Sequence, residues 1–140
     1  MKHVISIFII LALMLPLIGQ SDKGRYLGRL STNRYQSDST ANKTSPLWRS
    51  PYSITSKSRY ASKGNSPVII GKGGKYLGRL NKNRHDPDSI ANPYGRYGSK
   101  YSPDSVNNPY GRYGSRYSNE STKNPYATDS PRLFAPRRYR

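Results

Sequence analysis

The stretch VIIGKGGKYLGRL, residues Val68–Leu80, decides how this chain folds. A β-branched apolar run enters Gly71-Lys72-Gly73-Gly74, and a second extended segment, KYLGRL, leaves it. A glycine-rich loop between two such runs predicts an antiparallel hairpin, because glycine reaches the backbone conformations a tight reversal needs. At strand period two, Tyr76, Gly78 and Leu80 share one face. The glycine inside the strand predicts close approach of another backbone, or a ring lying over it. GKGGK is not a phosphate-cradling loop. Such a loop needs Ser or Thr after its lysine and then a helix, whereas Tyr76 and a strand follow here.

Working outward, GKYLGRLNKNRHDPDSIAN (Gly74–Asn92) echoes GRYLGRLSTNRYQSDSTAN (Gly24–Asn42) at a constant offset of 50. Tyr26, Gly28 and Leu30 thus correspond to Tyr76, Gly78 and Leu80. Asn65-Ser66-Pro67 with its apolar run returns as Asp129-Ser130-Pro131 with Leu133 and Phe134. Two repeat units follow, 24–70 and 74–134, with a short basic tail at 135–140. The hairpin joins the end of one unit to the start of the next. That leaves Arg25–Leu30 with nothing before it to pair with and Arg132–Ala135 with nothing after. Pairing first strand with last closes the molecule on itself and removes its exposed edges.

Within the second unit, NPYGRYGS occurs twice, defining cassettes at 92–107 and 108–123. Asn, then Pro, then Gly two places on is the order a type I turn favours. In SPDSV (Ser102–Val106) a serine cap, proline and an acidic residue describe one helical turn, which DPDSI (Asp86–Ile90) repeats. Tyr94 and Tyr110, held in fixed phase, are expected to support the fold. The resulting fold class is mainly β and irregular: short hairpin strands joined by Tyr/Pro/Gly cassettes in two units. A partly disordered chain is the alternative.

The pattern YLGxLxxNxxxPxSxxNPYGxYGSxYSxxSxxNPYA resembles a group of small exported bacterial proteins built from the same cassettes, a group without assigned activity. The resemblance spans most of 23–135 and implies export from a bacterial cell. Unit one departs from the pattern at KTSPLWRSPYS (Lys43–Ser53).

The amino terminus agrees with export. A basic start, an apolar run from Val4 and small residues at Gly19 and Ser21 read as a signal peptide over 1–21. From Val4 to Ile18 a helix reaches roughly 22 Å at about 1.5 Å per residue, short of the ~30 Å hydrocarbon core. The destination is periplasm, cell surface or medium, with membrane contact only through the uncleaved leader. After the leader, Leu, Ile, Val and Phe make up roughly a tenth of the residues, well below the ~20% that with high charge marks disorder. Thirteen tyrosines offset this, so order is expected around phenol rings and turns with a thin core. There is no cysteine, which excludes disulfides and thiolate chemistry.

Lys and Arg number 24 against 7 Asp and Glu. His85 beside Asp86 and Asp88 is the one grouping that resembles an acid–base or metal site, and Asp86-Pro87-Asp88 is better read as a helical-turn start. No catalytic residue, metal site, cofactor or small-molecule substrate is expected. The cations interleave with tyrosine at Arg96, Lys100, Arg112 and Arg116, and Arg137 and Arg138 stand in the basic tail. That mixture suits an anionic polymer or surface such as lipopolysaccharide, anionic lipid or polysaccharide; export makes nucleic acid a poorer partner. The reading is a non-enzymatic structural or adhesive envelope module, with polyanion binding as the alternative. Charge that merely keeps a Tyr- and Gly-rich surface in solution is the bland explanation.

Overall fold

The computed structural model describes residues 24–61 and 65–136; the leader at 1–21 and Arg137 and Arg138 lie outside them. The expected hairpin is present. β2 (Val68–Ile70) pairs antiparallel with β3 (Tyr76–Arg79). Its loop is one residue longer than the glycine run, because the Gly71 N–H donates to the Lys75 carbonyl at 2.7 Å. Gly73 and Gly74 sit at φ 74° and 83°, the left-handed region where a side chain is costly. Open space surrounds both, so backbone conformation alone requires glycine there.

First and last strands also meet. β1 (Tyr26–Arg29) pairs antiparallel with β4 (Arg132–Phe134). Closure does not follow, however. β4 additionally pairs with β2, matching Ile69 to Leu133. The result is one open four-stranded sheet in the order β1-β4-β2-β3, with β1 and β3 at its edges. Each edge is covered by the chain that follows it. The Arg29 N–H donates to the Asp38 carbonyl at 2.7 Å and the Thr40 N–H to the Arg29 carbonyl at 2.8 Å. On the other edge, the Arg79 N–H donates to the Asp88 carbonyl at 2.7 Å and the Ile90 N–H to the Arg79 carbonyl at 3.2 Å. Laying a loop over an edge strand blunts the pairing hazard without closing a barrel.

That covering loop explains the strand glycines. Gly28 and Gly78 have φ of 107° and 98°. A Cβ on Gly78 would lie 2.6 Å from the Asp88 carbonyl oxygen and 2.7 Å from Cβ of Tyr97. At Gly28 the Asp38 carbonyl and the Ser45 hydroxyl take those places. Both expected causes, backbone approach and a ring overhead, therefore occur. The positive φ and a bulge between Tyr26 and Gly28 break strict alternation, so the inward residues are Leu27 and Leu77 rather than the Tyr–Gly–Leu face. Leu30 and Leu80 pack only partly against the core.

The core is aliphatic, correcting the expectation of a tyrosine-built interior. Leu27, Leu47, Ile69, Leu77 and Leu133 are sealed from solvent and cluster with Val106, Tyr113 and Ala135. Leu47 arrives on a 3₁₀ turn, Pro46–Arg49, followed by a single α-helical turn, α1 (Tyr52–Thr55). This is what the divergent segment of the first half supplies in place of a cassette. Around this small core lies a shell of buried serines, including Ser39, Ser89, Ser105 and Ser121. Burying a hydroxyl costs free energy unless it is bonded. These bond locally: Oγ of Ser39, Ser89, Ser105 and Ser121 accepts from the N–H two residues on.

Candidate functional site

The cassettes keep their phase in space. Oδ1 of Asn92, Asn108 and Asn124 accepts the N–H of Tyr94, Tyr110 and Tyr126, each at 3.0 Å. Their amide nitrogens donate back to the carbonyls of Asp86, Ser102 and Ser118. Each asparagine thus clamps the single turn before it to the NPY turn after it. Gly95 and Gly111 N–H groups close the NPYG turns onto Asn92 and Asn108. A Cβ on Gly98 or Gly114 would collide with the carbonyl of that same asparagine.

This clamp turns one set of tyrosines inward and another outward. Tyr113 joins the core and Tyr97 packs edge-on to Tyr76, centroids 5.2 Å apart. Tyr94, Tyr110 and Tyr126 point to solvent, with exposures of 96%, 96% and 74%. The rings of Tyr94 and Tyr110, expected to support the fold, therefore stand outside the core, and the bonds of each turn run through the asparagine two places before. Tyr101 and Tyr117 are likewise almost wholly exposed.

The cations sort the same way. Nε of Arg96 lies 2.7 Å from Oδ2 of Asp104, and Nε of Arg112 lies 3.1 Å from Oε2 of Glu120. Each of these arginines pairs with a carboxylate eight residues on in its own cassette, so it braces that cassette internally. Asp104 also receives Nζ of Lys75 at 2.6 Å. Hydrogen bonds from Lys75 and then Arg96 hold its carboxyl below the ordinary carboxylate range, against the opposing effect of burial. Lys100 and Arg116 are exposed and, among the described residues, their side chains make no ion pair. Each stands one residue before an exposed tyrosine.

Two phenols are tied down elsewhere. Tyr26 donates to Oδ2 of Asp38 at 2.6 Å and Tyr76 to Oδ2 of Asp88 at 3.3 Å. Burial, before any other cause, pushes both up to about 12, so they stay protonated donors. His85 does not converge with its acidic neighbours. Asp86 turns inward, accepting from Nδ2 of Asn81 at 3.1 Å and from the Asp88 N–H at 3.0 Å, the cap role that Ser102 plays for Asp104.

His85 instead lines an open cleft of about 790 Å³ with Arg59, Tyr60, Lys82, Asn83, Arg84 and Ala91. The charge-and-tyrosine pattern of the cassettes did not single out this corner. A signal existed, because the offset-50 alignment sets Lys82 and His85 against Thr32 and Tyr35.

Compared with protein-family models, with curated proteins and with solved structures, the chain finds no match.

Proposed function

We propose that the chain is an exported, non-enzymatic adhesive module of the cell envelope, built of two repeat units, whose cassettes hold an anionic polysaccharide. One observation carries the reading: tyrosines recurring every sixteen residues are displayed to solvent, beside cations that no carboxylate of the described residues neutralises. Holding large aromatic rings in water is unfavourable unless something else covers them. An aromatic face with an adjacent cation suits a polymer that offers flat ring faces and negative groups at intervals. Arg96 and Arg112 contribute mainly by fixing the spacing of the rings, through Asp104 and Glu120.

Isothermal titration of the processed chain with polygalacturonate, at low and at 0.5 M salt, tests this. Binding is expected to weaken steeply with salt, since exposed charges are screened beyond a Debye length. The pair Lys100→Ala with Arg116→Ala is expected to lose at least tenfold in affinity, and Tyr101→Ala with Tyr117→Ala a comparable amount. Absence of binding, or binding indifferent to salt and to all four substitutions, leaves a structural module with solubilising charge.

A further inference from the structure

The cleft at His85 belongs to a corner that the molecule constructs twice, and one copy carries more positive charge than the other. In the first corner, the Tyr60 N–H donates to Oγ of Ser58 at 3.1 Å, and Nδ2 of Asn83 donates to the Ala61 carbonyl at 3.0 Å. Oδ1 of Asn83 accepts the His85 N–H at 3.0 Å, and the Lys82 N–H donates to the Ser58 carbonyl at 3.1 Å. In the second corner, the Tyr126 N–H donates to Oδ1 of Asn124, and Nδ2 of Asn33 to the Ala127 carbonyl, both at 3.0 Å. Oδ1 of Asn33 accepts the Tyr35 N–H at 3.0 Å, and the Thr32 N–H bonds the Thr122 carbonyl. The fourth bond takes its carbonyl from two residues before the tyrosine in the first corner and from four before it in the second; otherwise the scaffolds match.

Their surfaces do not. Where the first corner has Arg59, Lys82 and His85, the second has Pro125, Thr32 and Tyr35; only Arg84 has a basic counterpart, Arg34. The second corner shows that a closely similar frame folds without Arg59 and Lys82, so these two cations are not there to hold it together. Crowding them raises the electrostatic free energy of the empty protein. Among the described residues no carboxylate lines the cleft, and the side chains of Arg59, Lys82 and Arg84 form no ion pair. Beside them stands Tyr60, almost fully exposed.

We propose that this cleft is a binding site for a phosphorylated sugar. Guanidinium groups meet phosphate oxygens with paired N–H donors, and lysine adds a point charge. A phosphate alone is small beside 790 Å³, a volume in the range of small-molecule sites. The remaining space adjoins the Tyr60 ring, which offers an apolar face to a pyranose. This inference stands apart from the polysaccharide reading, since it uses none of the cassette residues.

The test is NMR titration of the processed chain with glucose 1-phosphate, inorganic phosphate and glucose. Glucose 1-phosphate is expected to bind one per chain, shifting amides of 58–61 and 82–85, and glucose to shift none of them. The pair Lys82→Thr with His85→Tyr installs what the second corner already carries. It is expected to fold normally and to weaken glucose 1-phosphate at least tenfold, whereas Lys100→Ala with Arg116→Ala leaves that affinity unchanged. Tyr60→Ala is expected to bring glucose 1-phosphate down to the affinity of inorganic phosphate. The converse set, Thr32→Lys with Tyr35→His and Pro125→Arg, is expected to raise the stoichiometry to two. The proposal is overturned if the phosphorylated sugar binds the Lys82/His85 variant as well as the natural chain, or shifts only residues outside this corner. It is equally overturned if inorganic phosphate matches glucose 1-phosphate in the natural chain.

Discussion

The two corners use similar turns, the same asparagine amide and the same reach to an alanine carbonyl, yet face solvent with different chemistry. One presents Arg59, Lys82, Arg84 and His85; the other presents Pro125, Thr32, Arg34 and Tyr35. Scaffold and surface are therefore separable in this protein. What must be kept for folding is the set of residues whose bonds recur in both places, and what differs between the places is free to serve a ligand.

The largest effects should be equal on both sides, because the core does not distinguish them. Leu27→Ala and Leu77→Ala each remove a sealed side chain and should each cost about 2–5 kcal/mol, the usual range for such a truncation. Thermal or urea unfolding measures both; a wide gap between them breaks the equivalence. Next come the corner asparagines. Asn33→Ala and Asn83→Ala each strand a backbone carbonyl and an N–H, at about 1–3 kcal/mol. Asn33 is the more deeply buried, so its loss should be the greater.

Asp104 separates the halves rather than equating them. Its folded carboxyl is held low by Lys75 and Arg96, so its stabilisation is complete above the unfolded carboxyl value of about 3.9. That stabilisation fades as pH falls through the lower folded value. The bonds it makes hold the hairpin loop to the first cassette, and the first half has no equivalent. Amide exchange in acid should therefore quicken over 74–113 before it does over 24–45, and Asp104→Asn should make exchange at neutral pH resemble that acid state. The smallest effect is expected at the charged corner itself. Arg84→Ala should change stability by no more than about 0.5 kcal/mol, because the side chain touches solvent and not the frame.

Much of the sheet was legible in the sequence. Gly71–Gly74 between apolar runs specifies the hairpin, and two orphan strands at opposite ends of the chain specify the β1–β4 pair. What escaped was the insertion of β4 against β2, which depends on how far each strand reaches and leaves no mark in composition. The tyrosines misled for a related reason. Their phase in the cassettes is regular whether the ring points in or out. Only the three-dimensional path of the NPYG turn sends Tyr94 and Tyr110 outward while Tyr97 and Tyr113 go in. Buried serine is also hard to foresee, since its satisfaction depends on a neighbour's N–H two residues along and not on any apolar pattern. The charged corner was readable only by comparing the two halves column by column. A scan for dense positive charge passes over it, because its cations come from segments twenty residues apart in a chain that is basic throughout.

The position of β4 between β1 and β2 has a kinetic consequence. The opening strand of the fold waits for almost the last residues to emerge before it has a neighbour, and so does one side of β2. Contacts this distant along the chain form slowly. Until Arg132–Phe134 arrive, only the local β2–β3 hairpin can pair, and a truncation that removes them would leave β1 without a neighbour and the four-stranded sheet unable to assemble.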